Sequence, residues 1–369
     1  MSEEIPIARH HRKTVAPEQV AGNRRVDQPD ILPRLETLIR ECGGDPTTFD
    51  GRLIKDLLLT SLKLITDDRD TGELKLLTSS FKELRHAYRV FADYAEPHKI
   101  SIFGSARTPP THPDYLTAVQ FSRLMAERGW LVITGAGDGI MKAGHEGPGR
   151  EASFGLAIRL PFETTANTVI AGDDKLIQFR YFFTRKLMFL SQCEAVAAFP
   201  GGFGTQDELF ECLTLVQTGK SAMVPMVLIE GPARNYWVDW DRYVREELLK
   251  GGFISPEDTS LYYMAKTPED AADHVCRFYA NYHSSRYVDD DYVIRVKHRL
   301  SDRQIESLND EFKMLVKSGS IHQRGPYEIE NEFHDLPRIA FTHTRRSFGN
   351  VRRLIDRIND YAIENGATR

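Results

Sequence analysis

Residues 185–208, RKLMFLSQCEAVAAFPGGFGTQDE, constrain the fold more than any other stretch of this chain. The first part has helical spacing, with Leu187, Phe189 and Leu190 apolar. EAVAAF is a short apolar run, the length of a strand buried on both faces of a parallel sheet. PGGFGT is a glycine-rich turn, and QDELFECLTLV returns to helical spacing. A strand, a glycine turn and a helix in that order make an anion site. The glycines let the backbone close on a phosphate, and the free N–H groups and dipole of the new helix attract it. The same residues admit a plainer reading. Thr205 followed three residues later by Glu208 fits the S/T-x-x-E capping box, which only starts a helix. Spacing alone leaves both readings open.

The pattern repeats along the middle of the chain. Residues 99–103 read as a strand running into Gly104-Ser105-Ala106-Arg107, with a helix at 115–128. Residues 130–134 read as a second strand running into Gly135-Ala136-Gly137-Asp138-Gly139. A third strand is expected at 154–160, and 162–180 as a polar loop with a short strand. After the helix carrying Arg185 and the strand at 194–199 come a strand at 224–229, a helix at 237–249, a short run at 261–265 and a helix at 268–282. Strands alternating with helices of this length imply an α/β fold with a doubly wound parallel sheet of Rossmann-like type. In such a sheet every turn that follows a strand lies along the carboxyl edge, where open α/β sheets bind ligands. One glycine turn alone is a tight connection. Three on one edge, with Arg107 and Arg185 beside them, point to a phosphate-bearing ligand. The second turn is not a dinucleotide fingerprint. G-x-G-x-x-G would need glycine at Ile140, and the turn follows the second strand rather than the first, so NAD and FAD are discounted.

Composition bounds the rest. The 369 residues are 41% hydrophobic and 27% charged, with a formal net charge of −5. That balance gives no global attraction to nucleic acid or to anionic membranes. The four cysteines have no C-x-x-C spacing and read as reduced packing residues. No apolar run approaches the roughly 20 residues of a membrane span. The N-terminus lacks the apolar core of a signal peptide, so a cytoplasmic location is expected. Residues 1–30 read as a mobile arm and 31–97 as a helical segment. Residues 98–283 form the α/β domain and 284–369 a small α+β module. That module is expected in the order βαββα, of ferredoxin-like type, with Arg345, Arg346, Arg352 and Arg353 clustered at its last helix. A solvated face explains such a cluster by default, and an anionic effector site is the sharper alternative.

The string PGGFGTQDE resembles the PGGxGTxxE signature of the LOG (Lonely Guy) family of nucleoside-monophosphate phosphoribohydrolases, and Arg185-Lys186 matches its upstream RK. FGSAR, TGAGDGIM, LPFE and FFTRKLMF occur in the order such proteins show, so the resemblance covers roughly residues 98–282. Two departures stand out: Ala136 occupies the place of a third glycine, and Asn167-Thr168-Val169 replaces the more usual Asn-Pro-Tyr. The resemblance implies hydrolysis of the N-glycosidic bond of a nucleoside 5′-monophosphate. It assigns Arg185 and Glu208 to catalysis. It assigns Ser105, Arg107, Gly135, Gly137, Gly201, Gly202, Gly204 and Thr205 to substrate and phosphate binding. Asp207, about 100° round the helix from Glu208, reads as a first-turn charge. No cofactor and no metal are implied. The expected partners are the nucleotide and further copies of the chain, with no membrane and no nucleic acid polymer.

Three rival readings stay open. A nucleotide sensor without turnover would share the glycine turns. A pyridoxal-phosphate decarboxylase, an old label for such proteins, would need a Schiff-base lysine in the cleft, and Lys186 should point elsewhere. A DNA-processing protein on a related fold would need a basic stripe, which the main domain lacks.

Overall fold

The computed structural model describes residues 31–96, 98–159, 166–364 and 366. The expected arm at 1–30 and the LPFE stretch at 160–163 lie outside the described residues. The chain divides into two compact units, residues 1–82 and 83–369.

The first unit is helical. It holds α1 (Ile31–Glu41), α2 (Phe49–Thr66) and the beginning of α3 (Thr71–Ala92). Thr48 caps α2, its hydroxyl accepting from the N–H of Gly51 at 3.0 Å. A 2.9 Å ion pair between Lys55 and Glu36 ties α1 to α2. Leu53, Ile54, Leu57 and Ile65 of α2 remain exposed.

The second unit is built on a parallel sheet of seven strands, in the order β4-β3-β2-β1-β5-β6-β7. These are β1 (Lys99–Phe103), β2 (Leu131–Thr134), β3 (Ser153–Ile158), β4 (Leu176–Phe179), β5 (Ala195–Ala198), β6 (Met226–Leu228) and β7 (Tyr263–Met264). The helices between them are α4 (Pro113–Glu127), α5 (Ile140–Glu146), α6 (Phe182–Ser191), α7 (Phe203–Gln217), α8 (Tyr236–Tyr243) and α9 (Pro268–Phe278). Helix α8 runs on through π-helical turns to Leu249. All residues of β1 and β5 are buried, which is why both read as continuous apolar runs. Ser101, inside β1, is tolerated because its hydroxyl donates to the carbonyl of Phe189 at 2.9 Å. Among the described residues, no helix is long and apolar enough to cross a membrane.

The strand order carries the functional consequence. The chain winds outward from β1 to β4, then returns through α6 and lays β5 on the other side of β1. The winding of the chain therefore reverses between β1 and β5 while the strands stay parallel, and a crevice opens there at the carboxyl ends. Phe103 and Ala198 are register partners, so the two strands end together and their glycine turns face each other.

The C-terminal part forms a second, antiparallel sheet of four strands in the order β10-β11-β9-β8. Its elements are β8 (Tyr282–Val288), β9 (Asp291–Val296), α10 (Asp302–Glu311), β10 (Val316–Arg324), β11 (Arg338–His343) and α11 (Phe348–Glu364). The order is ββαββα rather than the expected βαββα. Strand β8 is the missed element: its His and Ser residues dilute the period-two apolar signal, and its stability comes from pairing with β9. Helix α10 ends at Glu311, where Phe312 closes it with its N–H on the carbonyl of Leu308. Helix α11 is seated by Asn359, whose side-chain oxygen accepts the N–H groups of Asn281 and Tyr282, both at 2.8 Å. Gly219, at φ +68°, leaves room for the ring of Phe348.

The arginine cluster does not form one face. Arg352 is turned inward, paired with Asp356 at 3.0 Å and bonded to His274 at 3.0 Å. Arg345 lies outside, 3.4 Å from Asp290 and over the ring of Tyr287.

Candidate active site

The three glycine turns are tied to one another at the sheet's carboxyl edge. The N–H of Ser105, after β1, donates to the carbonyl of Pro200, after β5, at 3.1 Å. The carbonyl of Ser105 accepts from the N–H of Ile140, after β2, at 3.0 Å. Gly139 sits between them at φ +60°, where a Cβ would lie 2.3 Å from that carbonyl. The side chain of Ser105 accepts from the N–H of Arg107 at 3.1 Å, and Arg107 itself is exposed.

The PGG turn opens directly into α7. The helix begins at Phe203, with Gly202 as its N-cap and no side-chain cap bond. The capping-box reading is therefore overturned: Thr205 lies inside the first turn. The turn is buttressed from behind, which is what lets the helix start early. Tyr236 donates its hydroxyl to the carbonyl of Gly201 at 2.6 Å, Gln206 donates to Tyr236 at 2.7 Å, and the indole of Trp240 donates to Gln206 at 2.9 Å. Gly201 has no room for a side chain, since a Cβ would lie 2.1 Å from the Thr205 hydroxyl. Gly202 and Gly204 face open space. This leaves the first N–H groups of α7 exposed beside the switch point, as an anion site needs.

Glu208 is buried, 6% exposed, one turn further along α7. Its Oε2 has no hydrogen-bond partner among the described residues. Burial pushes its carboxyl up to about 7, against the pull of the Lys186 and Arg185 charges. Arg185 stands in the first turn of α6, its guanidinium 5.1 Å from the ring centre of Phe182 and 5.6 Å from that of Phe189. One of its terminal nitrogens is 3.8 Å from where a Cβ on Gly135 would be, so the β2 turn and Arg185 adjoin. Lys186 points away from that cleft, to Asp207 at 2.7 Å and Glu211 at 2.6 Å. Burial lowers the affinity of its amine for a proton, but the bonds to the two carboxylates outweigh this and raise it overall. An amine so held is the opposite of a Schiff-base nucleophile.

The β2 turn is held by residues that spacing does not single out. His145 is fully buried, and its Nε2 lies 3.0 Å from the carbonyl of Phe154, which can only accept. Nε2 therefore carries the proton, and Nδ1 accepts from the Asn167 amide at 3.1 Å. Burial lowers the ring's affinity for a proton, against the pull of its bonds to Phe154 and Asn167. The Asn167 amide also donates to the carbonyl of Gly137 at 3.0 Å, and Thr134 accepts the N–H of Ala136 at 3.1 Å. Ala136 is thereby fixed at φ +62°, the left-handed region in which glycine is at home. Its methyl fits because Gly155 opposite has no Cβ; one there would be 3.0 Å away.

Gly135, Gly137, Met141 and Arg185 line one cleft together with Arg159 and Gln178. Of the expected site residues, this cleft and the adjoining PGG turn gather Ser105, Gly135, Gly137, Arg185, Gly201, Gly202, Gly204, Thr205 and Glu208. Arg107 lies exposed at the rim. Tyr236, Gln206, His145, Asn167, Arg159 and Gln178 were not anticipated as site residues. Only Asn167 carried a signal, as a departure from the family pattern.

Comparison with known proteins gives a match between residues 136–275 and the family model described as possible lysine decarboxylase. None of the curated proteins matches. Among solved structures, the chain is similar to the molybdenum cofactor binding protein from the phototrophic bacterium Rippkaea orientalis, at 20% identity and TM-score 0.34, over 48% of this chain and 94% of that one. It is similar to the molybdenum cofactor carrier protein from Chlamydomonas reinhardtii at 19% identity and TM-score 0.36, over 49% and 98%. A DNA processing protein A from Helicobacter pylori is similar at 11% identity and TM-score 0.32, over 49% and 81%.

Proposed function

From the premise that residues 136–275 form a domain of the LOG family, we propose that this chain hydrolyses the N-glycosidic bond of a nucleoside 5′-monophosphate to free base and ribose 5-phosphate. The observation that carries the reading is Glu208: a buried carboxylate, one oxygen unpartnered, beside Arg185 and one turn from an open helix N-terminus. A group held this way is costly to the fold and suits a charge that forms only in the reaction.

The chemistry follows from the placement. The 5′-phosphate sits on the N–H groups of Gly202, Phe203 and Gly204, with the Thr205 hydroxyl close by. The ribose then lies toward Glu208 and Arg185. As the bond from C1′ to the base nitrogen breaks, its electron pair leaves with the base and the sugar becomes oxocarbenium-like. The Glu208 carboxylate stabilises that cation and orients a water. The water gives its hydroxyl to C1′, and its proton ends on the base. Arg185 holds the ribose hydroxyls or phosphate through its fork of donors.

The test is a panel of nucleoside monophosphates incubated with the protein and assayed for free base and ribose 5-phosphate. Release of both in equal amounts from at least one monophosphate is expected, with plain nucleosides poor substrates. Binding without product would make the chain a nucleotide sensor. Comparable rates on adenosine and AMP would remove the phosphate site from the reading.

A further inference from the structure

We propose that Arg159 and Gln178 form the base-reading end of this cleft and select a 6-oxopurine, guanine or hypoxanthine, over adenine; this rests on the hydrolase reading above. The sheet sets the direction. The phosphate turn follows β5, and Arg159 follows β3, with β1 and β2 between them. Three strand spacings put the two ends about 14 Å apart, a span on the scale of a mononucleotide. A ligand whose phosphate lies on the PGG turn and whose ribose lies by Arg185 therefore carries its base toward Arg159.

The far end has the make-up of a base site. Ala136, Met141, Ala157 and Ile158 give it an apolar lining, against which a flat ring can lie. Arg159 is anchored at its backbone, its N–H donating to the carbonyl of Phe179 at 2.9 Å. Its Nε donates to the side-chain oxygen of Gln178 at 3.1 Å. That bond orients the guanidinium, although both side chains are exposed, and occupies one lone pair of the amide oxygen. The terminal N–H groups of Arg159 and the NH2 of Gln178 stay available as donors at this end of the cleft.

A rim of donors discriminates by chemistry. The Hoogsteen edge of guanine or hypoxanthine offers two acceptors, O6 and N7, which a guanidinium bridges with two parallel bonds. Adenine offers N7 beside an amino group, so one donor meets another donor and is left unpaired. Neither Arg159 nor Gln178 lies in a glycine turn, although Arg159 directly precedes the LPFE stretch.

The experiment measures kcat/KM of the full-length protein for GMP, IMP and AMP, and inhibition by ribose 5-phosphate, which has no base. GMP and IMP are expected to exceed AMP by at least about 10-fold. Arg159→Ala should bring the ratio close to one, chiefly by slowing GMP and IMP, with ribose 5-phosphate inhibition unchanged. Arg159→Lys should recover only part of the preference, because the fork is lost. A wild-type protein that treats AMP as well as GMP overturns the proposal. So does a variant that loses GMP and AMP equally, or binds ribose 5-phosphate more weakly. If the wild type cleaves no monophosphate, the hydrolase reading fails on its own. Calorimetric affinities for GMP and AMP then decide the role of Arg159, and equal affinities overturn it.

Discussion

Glu208 is where structure and chemistry meet at the scale of one residue. Its carboxyl is pushed up to about 7 from an ordinary value of 4.5, by burial first. The sign of the consequence is fixed. Between about 4.5 and 7 the folded state holds a proton that the unfolded chain has released, so stability falls as pH rises through that window and is level above it. Glu208→Gln should flatten this slope, which melting curves of both proteins from pH 4 to 8 would reveal. If the carboxylate form is the active one, kcat/KM should climb with pH to an inflection near 7 that reports the free enzyme. Turnover of Glu208→Gln should drop by roughly 10²-fold or more, while monophosphate binding persists. Near-normal turnover in that variant would remove Glu208 from catalysis. Lys186 holds Glu208 down by its charge, so Lys186→Met should move the kinetic inflection upward. An unmoved inflection would assign it to another group.

At the scale of the element, the glycine turns are not equivalent. A methyl on Gly201 would collide with the Thr205 hydroxyl, whereas one on Gly202 meets open space. Gly201→Ala should therefore disrupt the turn and abolish phosphate binding. Gly202→Ala should leave the melting temperature close to wild type, and calorimetric titration with a monophosphate separates the two. The β2 turn depends on a network instead. Asn167→Ala strips the Gly137 carbonyl and His145 Nδ1 of a shared donor, at a cost of about 1–3 kcal/mol. Because this network shapes the cleft without reaching the scissile bond, KM should rise more than kcat falls. A pure kcat loss would contradict that positioning.

On the scale of the whole molecule, the outer side of α6 is the telling surface. Phe182, Phe183 and Leu187 are each about half exposed, at 52%, 51% and 47%. They adjoin Lys186 and its two carboxylate partners on α7. We read this contiguous apolar surface as a site of association between copies of the chain. We expect at least a dimer through α6 and α7, visible as twice the monomer mass in light scattering at micromolar concentration. Phe183→Glu should reduce it to a monomer, and a monomeric wild type would refute the assignment. The α6 helix also carries Arg185, so assembly and activity should be lost together in that variant.

What the sequence determined by itself is local. Apolar runs, glycines after each run and the period change across residues 194–217 sufficed to place the strands, the turns and the edge on which the turns gather, because backbone conformation and period are set by near neighbours. Tertiary structure decided whatever depends on partners far along the chain. That β5 lies against β1, making their turns the two lips of one crevice, is a matter of sheet order. The start of α7 at Phe203, ahead of the Thr205 signal, rests on Tyr236 and Ser105 holding the turn. The proton affinity of Glu208 comes from burial, which no spacing encodes. Asn167, His145, Arg159 and Gln178 reach the site only because β2, β3 and β4 are adjacent. Strand β8 exists because β9 pairs with it. In each case the deciding energy is a contact between distant residues, and a chain read one neighbourhood at a time does not contain it.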